Sequence, residues 1–85
     1  MIEYRLLVAH EVIVFLDSLK AADRKRLIKR FLEITSYPAN YADYSEHDAA
    51  GRRLDVHVHA GYAIAFWEDF ADRHLKVLDV RLADH

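Results

Sequence analysis

Apolar and polar residues alternate at the start of the chain. Ile2, Tyr4, Leu6 and Val8 fall on one side, and Glu3, Arg5 and Leu7 on the other. A two-residue period predicts a strand over 2–9 with one buried face. From His10 the period lengthens. Val12, Ile13, Phe15, Leu16 and Leu19 recur at helical spacing, which predicts a short helix over 10–19. A second amphipathic helix follows over 21–36, with the stripe Leu27, Ile28, Phe31, Leu32 and Ile34. Its other faces carry Arg24, Lys25, Arg26, Lys29, Arg30 and Glu33 and read as a solvated or partner-facing surface. The short break between the two makes a helical hairpin. Pro38 ends the second helix, because the residue before a proline avoids the helical region.

Residues 37–51 show no period and read as a loop, long for so small a protein and therefore a candidate binding segment. Tyr37, Tyr41 and Tyr44 within it would either plug an end of the core or stack on bases. Alternation returns at 52–59, with Leu54, Val56 and Val58 against Arg53, Asp55, His57 and His59. Ala60-Gly61 suits a tight turn. The next strand puts Tyr62, Ile64 and Phe66 opposite Ala63, Ala65 and Trp67. Trp67 would either fill the space beside the alanines or join them in a partner surface. The last strand, 74–82, puts Leu75, Val77 and Asp79 opposite Lys76, Leu78, Val80 and Leu82.

The order is β-α-α-β-β-β. It predicts an α+β fold: an antiparallel meander of the three C-terminal strands, joined by strand one in a four-stranded sheet, with the helical hairpin on one face. The other face would carry Arg53, Asp55, His57 and His59.

Composition narrows the class. Eighty-five residues suggest one domain, 1–85, close to the lower size for folding alone. With two glycines and one proline, little of the chain looks disordered. The absence of cysteine excludes disulfides and thiolate metal sites and favours a cytoplasmic setting. No apolar run is long enough to span a membrane. A formal charge of −2 argues against a generic nucleic-acid coat, although a local basic patch stays open.

Several segments, in order, resemble the RelE/ParE superfamily of type II toxin–antitoxin toxins. They are Tyr4-Arg5-Leu6, Phe15-Leu16 with Leu19, Arg24-Lys25-Arg26-Leu27, Gly51-Arg52-Arg53-Leu54, Gly61-Tyr62-Ala63-Ile64-Ala65-Phe66 and Val77-Leu78-Asp79-Val80. The resemblance implies a growth-inhibiting toxin, neutralised by a small acidic antitoxin protein encoded by an adjacent gene. Its target would be mRNA on the ribosome or, in the ParE-like mode, gyrase. The alternative is a non-toxic RelE-like protein-binding module, with a homodimer through the open sheet face as one form. Neither reading needs a cofactor or a membrane. The chain departs from the RNA-cleaving pattern at Ala63, where such relatives carry a phosphate-holding arginine, and near Asp55, His57 and His59, where they carry lysines. Arg81 and His85 fall close to positions where relatives carry an arginine and a histidine or tyrosine.

The candidate chemistry is therefore Arg52, Arg53, His57, His59, Arg81 and His85. RNA cleavage by 2′-OH attack needs a base, an acid and positive charge on the phosphate. Two histidines can exchange protons near neutral pH, and arginine can hold a phosphate with paired hydrogen bonds. The plainer reading makes these residues ordinary polar groups on an open sheet face. A metal site at His57 and His59 would need a third ligand such as Asp55 or Asp79.

Overall fold

The computed structural model describes residues 4–83. Strand β1 (Arg5–Val8) leads into helices α1 (His10–Asp17) and α2 (Ala21–Ser36), followed by a 3-10 turn at Pro38–Tyr41. Four strands complete the chain: β2 (Tyr44–His47), β3 (Arg53–His59), β4 (Tyr62–Asp69) and β5 (His74–Leu82). They form a five-stranded sheet in the order β1-β5-β4-β3-β2. Strands β2 to β5 are antiparallel neighbours, whereas β1 runs parallel to β5. The predicted α+β meander with a helical hairpin on one face is thus present. It carries one strand more than the pattern predicted, β2, inside the segment read as a loop.

The helices lie over β1, β4 and β5 because of their stripes. Val12 and Leu16 of α1 and Leu27, Phe31 and Ile34 of α2 are buried against Ile64, Phe66, Leu75, Val77 and Val80. Burying each such side chain contributes about 1.5–3 kcal/mol. Helix α1 stops where Ser18 turns back on Phe15, with both its N–H and its hydroxyl donating to that carbonyl.

A second apolar layer covers the opposite face of the sheet. Leu54, Val56, Ala63 and Ala65 are buried there with Trp67, Leu78 and Ala83 packed on them. Trp67 fills the space beside the alanines, and the Arg52 guanidinium and Lys76 ammonium lie over its ring at 5.0 and 5.1 Å. This layer reverses the expected orientation of β3. Leu54 and Val56 belong to the open face, so Arg53, Asp55, His57 and His59 point to the helical side, not away from it. The reason is that the β3 apolar side is needed to pack on the small side chains of β4.

The last strand is also rephased. Phe66 pairs with Val77 and Ala65 with Asp79, so Leu78 is an extra residue in a bulge. Val80 thereby joins Leu75 and Val77 in the helical core, and Asp79 moves to the open side. Simple alternation had placed Asp79 with Leu75 and Val77.

Candidate functional site

The two histidines sit where β3 passes the middle of α2. The loop after the 3-10 turn brings Asp43 beside them, and it is tied there by its own backbone: Asp43 N–H donates to the Val56 carbonyl at 2.9 Å. The Asp43 carboxylate then accepts two hydrogen bonds through Oδ2, from Val58 N–H at 2.8 Å and from His57 Nδ1–H at 2.9 Å. On the other side of the ring, Arg30 Nη1 donates to His57 Nε2 at 3.3 Å. A guanidinium can only donate. His57 therefore carries its proton on Nδ1 and offers Nε2 as an acceptor, held between an acid and a base with the ring buried.

Aromatic packing fixes this arrangement. The Tyr41 ring meets His57 edge-on at 5.0 Å, and the Arg30 guanidinium lies 5.2 Å above the same tyrosine. Arg30 Nε is buried 3.2 Å from Glu33 Oε1, an ion pair without hydrogen-bond alignment. His59 stacks on His57, with ring centres 6.0 Å apart and planes 14° from parallel. Burial of His59, with the Arg30 charge next in weight, holds its imidazole below the ordinary value of 6.5.

Arg81 belongs to the opposite face. It pairs with Ala63 across β4, and its guanidinium donates to both Glu46 carboxylate oxygens and to Asp79 Oδ2 at 2.7 Å. These carboxylates raise the guanidinium pKa still further. Arg52 lies on the same side and pairs with Asp48 at 3.1 Å, and Lys76 pairs with Asp69 at 2.9 Å. Arg53, by alternation with His57, shares the helical side and is exposed. The six candidate residues are therefore divided. His57 and His59 come together, Arg53 lies along the same side of β3, and Arg52 and Arg81 lie across the sheet. His85 falls outside the described residues.

Two members of the histidine cluster, Asp43 and Arg30, escaped the sequence reading. Asp43 lies in an aperiodic segment, and Arg30 looked like part of a solvated or partner-facing surface. Arg30 directly precedes the buried Phe31, and that position at the border of the apolar stripe was its one signal. Of the loop tyrosines, Tyr41 packs against the core, while Tyr37 and Tyr44 are exposed. Among the described residues no three acidic, histidine or cysteine side chains converge as metal ligands. No described helix is long and apolar enough to cross a membrane.

No protein-family model and no curated protein matches the sequence. Among solved structures the chain is similar to one in the crystal structure of the archaeal RelE–RelB complex from Pyrococcus horikoshii OT3. The TM-score is 0.75 at 18% sequence identity, covering 96% of each chain. The expected RelE-like fold is thereby established.

Proposed function

We propose that this chain is the toxin member of a type II toxin–antitoxin pair, acting in the cytoplasm by binding a protein target rather than by cleaving RNA. One observation carries the choice of mode. Both ring nitrogens of His57 are engaged, Nδ1 by Asp43 and Nε2 by Arg30, which also pairs with Glu33, and the sheet separates this cluster from Arg81, itself held by Glu46 and Asp79. Phosphate cleavage needs the proton-transferring groups and the phosphate-holding cation around one atom. A toxin that grips its target, as the ParE-like ones do, needs only a surface.

The helical hairpin offers a surface for the neutralising partner. Ile13 and Ile28 are exposed along a groove floored by Leu6, Val8 and Phe31, with Arg24 at its border. Exposed apolar area of this kind marks an interaction site. The basic outer positions of α2 suit a small acidic antitoxin encoded beside this gene.

Expression of the gene alone in bacteria tests the reading. Growth arrest, relieved by the adjacent gene, is expected, and it should persist when His57 and His59 are both changed to Gln. Ribosome-dependent mRNA cleavage that disappears in the double variant would overturn the binding mode. Harmless expression at high level would leave the other reading, a non-toxic RelE-like binding module.

A further inference from the structure

At the end of the sheet where β4 turns into β5, an aromatic cleft of about 310 Å³ opens between that turn and the end of α2, and none of the histidines lines it. Tyr4, Tyr37, Pro38 and Phe70 line it, with Glu68 in its wall. Phe70 is 67% exposed and Tyr37 52%, large values for rings with no polar duty. The Tyr4 and Phe70 rings meet edge to face at 6.2 Å. Tyr4 donates its hydroxyl to Glu68 Oε2 at 3.0 Å, and burial together with that carboxylate raises the tyrosine pKa.

Glu68 forms no ion pair among the described residues. Its neighbour Asp69, by contrast, is neutralised by Lys76. The Arg73 charge acts on the Tyr4 hydroxyl in the opposite sense, more weakly than burial and Glu68 do. The cleft thus joins two features that attract the same ligand. Aromatic faces attract a cation, and a carboxylate with one oxygen that no described residue engages attracts a donor. A guanidinium satisfies both, because it stacks flat on a ring while its edge N–H groups reach a carboxylate.

We propose that this cleft is a docking site for an arginine side chain of a partner protein, stacked on Phe70 or Tyr37 and bonded to Glu68. The site is independent of the toxin reading, since it needs neither the histidines nor the helical groove.

The test uses the full chain, labelled with nitrogen-15, and three capped tripeptides: Gly-Arg-Gly, Gly-Lys-Gly and Gly-Leu-Gly. Saturable amide shifts confined to 36–40 and 68–71 are expected with the arginine peptide, and weaker ones with lysine. Glu68→Gln and Phe70→Ala should each weaken binding by roughly three- to tenfold. Both positions are at least partly exposed, so the variants should keep the native far-UV spectrum. Equal shifts with the leucine peptide would mean a generic apolar cleft and would overturn the proposal. So would arginine binding unaffected by Glu68→Gln, or no saturable shift at millimolar peptide. The growth assay for toxicity reads none of these outcomes, so the two proposals fail separately.

Discussion

Asp43 and His57 are fourteen residues apart in sequence, yet one carboxylate oxygen of the first fixes the ring of the second and the backbone beside it. The pair ties the irregular segment after α2 to the middle of β3. It is a structural clasp as well as the orienting half of the histidine cluster.

Removing that acceptor should therefore loosen the fold. Asp43→Ala leaves the Val58 N–H and the His57 Nδ1–H without their partner, at a cost of about 1–2 kcal/mol. Urea denaturation followed by Trp67 fluorescence would measure it. An unchanged midpoint would show that the clasp contributes nothing.

The β3–β4 turn offers the opposite opportunity. Ala60 and Gly61 have φ of 53° and 86°, the left-handed pair of a two-residue hairpin turn. Alanine is strained there and asparagine is not. Ala60→Asn should stabilise the protein by about 0.5–1 kcal/mol, raising Tm by roughly 2–8 °C. Calorimetry would check this, and a lowered Tm would contradict the turn geometry.

Beyond the bulge at Leu78, β5 runs from the core to its exposed end. Val80 and Leu82 share the helical side, opposite Ile64 and Tyr62, but Val80 is 5% exposed and Leu82, the last residue of the strand, 67%. Val80→Ala should cost about 1.5–3 kcal/mol and Leu82→Ala less than about 0.5. Similar losses at both sites, by chemical denaturation, would argue against a core that ends at Val80.

Acid should weaken the fold in two steps. His59 binds its proton less readily folded than unfolded, because of burial first and the Arg30 charge next, which outweigh Glu33. Stability therefore falls as pH drops through and below 6.5. Asp48 and Asp69 are held below 3.8 when folded, by the hydrogen bonds of Arg52 and Lys76 respectively. Their contribution is present above 3.8 and is lost as pH falls below it. Unfolding curves from pH 8 to 3 should show both declines, and His59→Gln should flatten only the first.

The sequence pattern carried most of this fold, for reasons visible in particular residues. Tyr4, Leu6 and Val8 face the helices as their alternation predicted, and so do Ile64 and Phe66. What alternation cannot supply is the identity of the face. Leu54 and Val56 are apolar in register, but an apolar layer exists on each side of this sheet, so the same pattern is compatible with either. Strand β2 was invisible because Tyr44, Ser45, Glu46 and His47 occupy an edge, pair only with β3 and lie mostly exposed. The histidine pair was legible as a pair. Its partners Asp43 and Arg30 were not, since they arrive from distant elements that only tertiary packing brings near. The engagement of Arg81 was equally hidden, because Glu46 reaches it from the unpredicted strand.

The parallel pairing of β1 with β5 has a consequence for how the molecule comes into being. Arg5 aligns with His74 and Val8 with Val77, so the first strand made finds its neighbour only when the last is made. During synthesis from the N-terminus, the apolar sides of α1 and α2 wait without their full platform until β5 has been made. A prematurely terminated chain that lacks β5 has neither the central floor of its core nor a seat for its opening strand. Such a chain keeps its helical apolar stripes uncovered, the condition that favours aggregation over folding.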